Sequence, residues 1–252
     1  MTNKDTSRVA LVTGGTRGIG EAICMVLREA GYQVVTTYRN PERKPQAQEW
    51  QQRQAAAGIE IDLIQMDVSS PKSCEQGARE LLERYGRLDV LVNNAGITRD
   101  AVMKKMSLDA WQDVIHTNLD SVFNVTRCFL ETLLDQKYGR IVNISSINGQ
   151  KGQFGQVNYS AAKAGVHGFT MALAQETARK GITVNTVSPG YVNTDMVMAI
   201  DEGVREKLQA QIPVGRFGEP REIARLVEFL ADEQSSFITG ANFPINGGMF
   251  MH

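Results

Sequence analysis

The chain has 252 residues, 42% of them hydrophobic and 22% charged, which is the make-up of an ordinary soluble globule with material for one substantial core. A net charge of −1 supplies no general basic excess for holding a nucleic-acid backbone. No stretch approaches the roughly 20 apolar residues that cross a bilayer.

In chain order, residues 8–13 (RVALVT) are a short β-branched run and predict a buried strand. A glycine-rich turn follows at 14–20, then helical spacing over 21–30. Residues 33–37 predict a second strand, and a polar, Gln-rich helix is expected over 46–57, entered through Pro41 and Pro45. A third strand is expected at 61–66, a helix near 71–85, a fourth strand at 88–92 and one long helical region over 108–134. Residues 140–145 predict a fifth strand, 158–179 a helix rich in Ala and Gly, 183–187 a sixth strand, and 241–245 a seventh. Short apolar runs separated by helices predict an α/β fold. The expected architecture is a doubly wound, Rossmann-like parallel sheet of about seven strands with helices on both faces, in one domain over 1–252.

Cys24, Cys74 and Cys128 are odd in number and lack metal-ligand spacing, so free thiols in a reducing compartment and no metal site are expected. Residues 1–7 are polar and lack an apolar signal core, which adds to a cytoplasmic reading.

The segment Thr13-Gly14-Gly15-Thr16-Arg17-Gly18-Ile19-Gly20 follows the first strand and opens the first helix. Glycine permits a tight turn and close approach of backbone to a pyrophosphate, and a helix N-terminus offers unpaired N–H groups. Alone this is weak evidence, because turns use glycine anyway; its position between strand and helix raises it. The second strand ends Tyr38-Arg39-Asn40, without the acid that bonds the ribose 2′-OH of NAD. Arg39, with Arg17, could instead fork onto the 2′-phosphate of NADPH. Solvated surface arginines are the plain alternative.

Tyr159 and Lys163 are four apart and share a helical face. A nearby ammonium is expected to lower the phenol's pKa from about 10, suiting it to donate a proton to a carbonyl oxygen. Ser146 stands just after the fifth strand, at the carboxyl edge of the sheet, where such folds bind ligands. Strand alternation and spacing to Tyr159 favour Ser146 over Ser145 as the hydroxyl donor.

On Thr13–Gly20, Asn93-Asn94-Ala95-Gly96, Asn118, Ser146, Tyr159-x-x-x-Lys163 and Pro189-Gly190, the chain resembles the short-chain dehydrogenase/reductase family over essentially its whole length. The resemblance implies that Ser146 bonds the substrate carbonyl, Tyr159 protonates it, Lys163 also holds the nicotinamide ribose, and Asn118 anchors a water. Asn118 satisfying backbone groups in a helix kink is the alternative. It further implies cofactor contacts from Gly14, Thr16, Arg17, Gly18, Ile19, Gly20 and Arg39. Asp67 and Val68 would meet the adenine, Asn94, Ala95 and Gly96 would line the cofactor, and Pro189, Gly190 and Val192 would border the nicotinamide.

Residues 148–159, 97–100, 188–191 and the ending Ile245-Asn246-Gly247-Gly248 resemble the subgroup that reduces acetoacetyl-CoA with NADPH in polyhydroxyalkanoate synthesis. In it Asp100, Gln153, Phe154, Gln156 and Tyr191 would surround the acyl thioester. A polar loop is the plain reading of 153–156. The neighbouring reading is a reductase of 3-oxoacyl groups on acyl carrier protein, for which Lys137 and Lys180 are docking candidates near the mouth; they could equally meet the phosphates of coenzyme A or be ordinary surface lysines, so they do not separate the two substrates. A non-catalytic NADP(H) sensor is the remote alternative. A helical lid over 191–215, with apolar residues from Met196 to Ile212, would close on substrate. Small residues on the helix from Tyr159 (Ala161, Ala162, Ala164, Gly165, Gly168) and the family resemblance imply a homotetramer.

Overall fold

A computed structural model describes residues 7–251; residues 1–6, which include most of the polar N-terminal stretch, and His252 lie outside the described residues, as does the side chain of Met196 in the expected lid. The strands are β1 (Val9–Val12), β2 (Gln33–Tyr38), β3 (Asp62–Gln65), β4 (Val90–Asn93), β5 (Gly139–Ile144), β6 (Ile182–Pro189) and β7 (Asn242–Ile245). They form one sheet in the order β3-β2-β1-β4-β5-β6-β7, and every pair is parallel. β5 and β6 are buried from end to end, because helices cover both faces of a parallel sheet.

Side-chain alternation divides the core. Ala10 and Val12 of β1 face α1 (Gly18–Glu29), α2 (Lys44–Ala56) and α10 (Pro220–Ala231). Val9 and Leu11 face α3 (Pro71–Tyr85), α5 (Ser121–Gln136) and α7 (Val157–Thr177). Phe129 of α5 is fully buried in the second layer, where truncation to Ala costs about 3–5 kcal/mol. The chain runs outward from β1 through β2 to β3, then crosses back to β4 on the other side of β1. The order thus reverses between β1 and β4, and the carboxyl ends of those strands border a ready-made ligand crevice.

Two expected helices are broken. The region read as one helix over 108–134 is α4 (Leu108–Ile115), a π-helical turn at His116–Asp120, and α5. The turn's residues suit a helix locally; what diverts them is a tertiary bond from Asn118, described below. The expected lid helix is α8 (Asp195–Met198) and α9 (Glu202–Ala210). The break falls where Asp201 caps α9, its carboxylate accepting from the Val204 N–H at 3.3 Å. A short helix, α6 (Asn148–Lys151), also stands between the expected fifth strand and the helix from 158, where the sequence predicts no element.

Candidate active site

The glycine loop is held by side chains from the next strand. Gly14 N–H donates to Thr37 Oγ1 at 3.0 Å and Gly15 N–H to Thr36 Oγ1 at 2.8 Å. Gly14 and Gly18 take left-handed φ of 67° and 56°, open to glycine without strain. Gly15 has a packing reason instead: a Cβ there would lie 2.4 Å from Thr36 Oγ1 and 2.5 Å from Cys24 Sγ. Gly20 is also closed off, its Cβ position 2.5 Å from both Asn94 Nδ2 and the Gly14 carbonyl. Thr13 joins the loop to the end of β4, its Oγ1 accepting from the N–H groups of Asn94 and Ala95, both at 3.0 Å. Asn94 Nδ2 returns a hydrogen bond to the Thr13 carbonyl at 2.9 Å.

Arg39 stands exposed just past β2, its Nε 3.4 Å from Asp67 Oδ2. Among the described residues its two terminal nitrogens carry no protein hydrogen bond. Burial pulls the Asp67 carboxyl up, but the Ser69 N–H and O–H and the Arg39 guanidinium outweigh it and hold Asp67 below the usual carboxylate range. Val68 is buried beside it. Arg17 is exposed at the N-cap of α1 and makes no side-chain cap.

Ser146, Tyr159 and Lys163 converge past the end of β5. Ser145 Oγ donates to the Lys163 carbonyl at 2.8 Å, so that hydroxyl is engaged in anchoring α7. Ser146 Oγ accepts the Asn148 N–H at 3.1 Å, which leaves its own hydrogen free to donate. A Cβ on Gly149 would lie 2.7 Å from the Lys163 carbonyl carbon, so glycine lets α6 rest directly on the α7 backbone. Lys163 is buried, its Nζ donating to the Ile144 carbonyl at 2.8 Å and lying 5.7 Å from the Tyr159 ring centroid.

The expected pKa direction for Tyr159 is not what this structure holds. Burial pushes the phenol up, opposed by the Ser146 hydroxyl and assisted by the Asp100 charge. Burial also brings the Lys163 ammonium down to about 8. Desolvation penalises both charged forms, and at this separation it exceeds the attraction that sequence spacing suggested.

Asn118 lies in the π turn and is buried. Its Oδ1 accepts the Ile97 N–H at 2.9 Å and its Nδ2 donates to the Ile97 carbonyl at 2.8 Å. Its side chain thus clamps the segment after β4, as the kink alternative foresaw. A Cβ on Gly96 would lie 2.5 Å from Asn118 Oδ1.

The mouth is stitched from two segments. Ala101 bridges Gln156 in parallel, and Gln156 Nε2 donates to Asp100 Oδ2 at 2.8 Å. Gln153 Oε1 accepts from Lys151 at 3.1 Å. Phe154 is 86% exposed. Tyr191 meets Phe217 edge-on at 6.5 Å. Pro189 accepts the Ile147 N–H at 2.8 Å, and Gly190 donates to the Ile245 carbonyl at 2.9 Å, with a Cβ position 2.8 Å from Asn246 Cα. Val192 is buried and bridges Gly218. Lys137 and Lys180 do not lie at this mouth. Each sits just before the start of a parallel strand, β5 or β6, whereas the mouth is built on the strands' far ends. Lys137 is the left-handed cap of α5 (φ 53°). The exposed lysines on mouth-bearing segments are Lys104, Lys105 and Lys151.

A family model for short chain dehydrogenases matches residues 8–205. The chain belongs to that family. It is an oxidoreductase acting on a CH–OH/C=O pair with a nicotinamide cofactor. It is 53% identical over 246 residues to the acetoacetyl-CoA reductase of Allochromatium vinosum, covering 98% of this chain and 100% of the relative. It is 54% identical over 247 residues to that of Shinella zoogloeoides, covering 97% and 99%. The 3-oxoacyl-[acyl-carrier-protein] reductase of Vibrio cholerae is 43% identical over 244 residues, covering 97% and 98%.

The residues present fit the family's dinucleotide. Gly14 and Gly18 expose bare left-handed backbone, and no side chain caps the first turn of α1, leaving N–H groups for phosphate. Among the described residues no helix is long and apolar enough to cross a membrane. Sequence reasoning gave no individual role to Asn148, Phe217, Thr194 or Asn158. The Thr194 methyl lies 3.5 Å from a Cβ position on Gly18. Asn158 is fully buried, its Nδ2 donating to the Arg99 and Ala110 carbonyls at 3.0 and 2.9 Å and its Oδ1 accepting the Tyr159 N–H at 2.8 Å. A neighbour of the motif tyrosine gave no signal beyond its polarity.

Proposed function

We propose that the protein reduces acetoacetyl-CoA to (R)-3-hydroxybutyryl-CoA with NADPH. When bound, the cofactor supplies the hydride. Tyr159 Oη gives its proton to the ketone oxygen, and its raised pKa keeps that proton in place until the oxygen gains negative charge. Ser146, whose acceptor side is occupied by the Asn148 N–H, donates to the same oxygen. Lys163, whose Nζ lies 5.7 Å from the Tyr159 ring centroid, would hold the nicotinamide ribose. Asn118 acts by positioning Gly96 and Ile97.

The observation that carries the substrate is near-full-length identity of 48–54% to relatives named acetoacetyl-CoA reductase, above the 43% to the carrier-protein reductase. Exposed Lys104, Lys105 and Lys151 suit the phosphates of coenzyme A. The purified protein should oxidise NADPH with acetoacetyl-CoA at a kcat/KM well above that with acetoacetyl-acyl carrier protein. A strong preference for the carrier-bound substrate would refute the assignment.

NADPH is favoured by Arg39, whose outer fork is free at the end of a strand lacking the NAD-type acid. Arg39→Ala should raise the Kd for NADPH about 10–100-fold, the equivalent of a lost charge-assisted hydrogen bond or two, and leave NADH within about 2-fold. Equal weakening of both would remove Arg39 from 2′-phosphate recognition. The same reading includes a homotetramer and a cytoplasmic setting. Exposed Phe123 and Met171, on α5 and α7, suit a subunit contact.

A further inference from the structure

A chain of hydrogen bonds runs from the mouth to Ser146 through Asn148, a residue that the proposed chemistry leaves without a role beyond its backbone N–H. Asp100 Oδ2 accepts from Gln156 Nε2 at 2.8 Å. Gln156 Oε1 accepts from Asn148 Nδ2 at 2.9 Å. The Asn148 N–H donates to Ser146 Oγ at 3.1 Å. Asn148 is only 8% exposed, and its Oδ1 is buried without a hydrogen-bond partner among the described residues.

The direction of this chain is set at one end. A carboxylate accepts and does not donate, so Asp100 requires the NH₂ of Gln156. The amide's oxygen must then face Asn148, which requires the NH₂ of Asn148 in turn. The lone acceptor at Asn148 Oδ1 follows from a carboxylate two hydrogen bonds away. Either amide could adopt both orientations on its own.

We propose that Asn148 is a positioning residue for the reduction: Asp100, through Gln156, fixes its side-chain orientation, and Asn148 in turn holds Ser146 as a donor and keeps an acceptor buried beside it. The mouth and Ser146 are therefore linked through Gln156 and Asn148. The segment bearing Asp100 is already tied to 155–156 by the Ala101 N–H to the Gly155 carbonyl at 2.9 Å, so movement of the mouth on substrate entry reaches Ser146 through three bonds. The inference concerns the same site and rests on the substrate reading for its kinetic readout alone.

The test exploits direction. In Asn148→Asp, residue 148 can no longer donate, and two acceptors face each other at Gln156. In Asp100→Asn alone, the direction is no longer forced. In the double variant Asp100→Asn/Asn148→Asp, Gln156 can turn over: its NH₂ meets Asp at 148 and its oxygen meets the NH₂ of Asn at 100. The chain is whole again with its direction reversed. Melting temperature without substrate, kcat and KM for acetoacetyl-CoA, and Kd for NADPH should be measured for the wild type and all three variants.

Asn148→Asp should lower the melting temperature and cut kcat/KM on the order of 10–100-fold, mainly in kcat, with NADPH Kd within about 2-fold of wild type. Asp100→Asn should lose less, about 3–10-fold. The double variant should recover at least roughly 10-fold of the Asn148→Asp loss, together with the melting temperature; such coupling between groups in one network is the expected sign of contact. A double variant no better than Asn148→Asp in either measure would overturn the relay. Recovery of the melting temperature without recovery of kcat would overturn the positioning role, leaving a purely structural pairing. A wild type inert toward acetoacetyl-CoA would refute the substrate reading by itself. The relay would then be judged on melting temperature, where recovery supports it and additive loss overturns it.

Discussion

The cofactor side of the cleft is built from glycines closely hemmed in by neighbouring side chains and backbone, whereas the substrate side is built from side chains paired across loops. At Gly15 and Gly20 a single added carbon would lie about as close as 2.4–2.5 Å to its neighbours. At the mouth, Phe154 is 86% exposed and Gln156 reaches across to Asp100. Substitution on the first side should cost folding and cofactor affinity together. On the second it should alter turnover or KM and leave the fold standing. Between them lies Tyr159, on a helix pinned by buried Ser145 and Asn158.

The sharpest division is expected at that boundary. Tyr159→Phe should lower kcat about 10²–10⁴-fold, the usual contribution of a positioned proton donor, with NADPH binding retained. Unchanged turnover would remove Tyr159 from the proton step.

Gly20→Ala should lose about 1–3 kcal/mol of stability by overpacking against Asn94 and Gly14, read by denaturant unfolding, and should weaken NADPH in the same variant. Normal stability would mean that the loop yields, and the contrast between the two sides would fail.

Lys163 gives a pH test. Burial lowers its folded pKa from 10.5 to about 8, so from about pH 8 to 10 the unfolded chain holds a proton that the folded protein has released. Unfolding then takes up a proton, and stability rises with pH in that window. The cost of burying the ammonium is present in full below pH 8. Relative to Lys163→Met, the wild type should gain up to roughly 2 kcal/mol between pH 8 and 10. Parallel profiles would show that the ammonium is not desolvated. Phenols and thiols raised by burial, such as Tyr32 and Cys24, work in the opposite sense but cancel in this difference.

Phe154→Ala should give the smallest effect. A rise in KM of about 3–10-fold is expected, with stability within about 0.5 kcal/mol, as for an exposed side chain outside the core. A loss of stability instead would place Phe154 in the folded framework.

The same division governs what could be read from the sequence. The strands, the glycine loop, Ser146 and the Tyr159–Lys163 pair are local patterns with local causes, and the alternation of Val9 and Leu11 with Ala10 and Val12 resolves directly into two core layers. The π turn was legible only as the kink alternative for Asn118, because residues 116–120 suit a helix and the bonds from Asn118 to Ile97 that accompany the turn are tertiary. Lys137 and Lys180 fit the reading as ordinary surface lysines and not the place near the mouth, because charge shows in a sequence while the end of a strand on which it sits does not. The pKa of Tyr159 ran opposite to expectation because spacing reveals a neighbour but not the burial that both groups share. Asn148 and Asn158 received no role of their own for a related reason: the acceptors of their side-chain NH₂ groups lie 8 to 59 residues away in the chain.

The proposed reduction depends most directly on where the ketone oxygen rests. A crystal structure of Tyr159→Phe with NADPH and acetoacetyl-CoA would hold the complex before turnover. It should place the C3 oxygen within hydrogen-bond distance of Ser146 Oγ and against the ring edge of residue 159, with the thioester directed toward Gln156 and Tyr191. A C3 oxygen lying away from both Ser146 and residue 159 would contradict it.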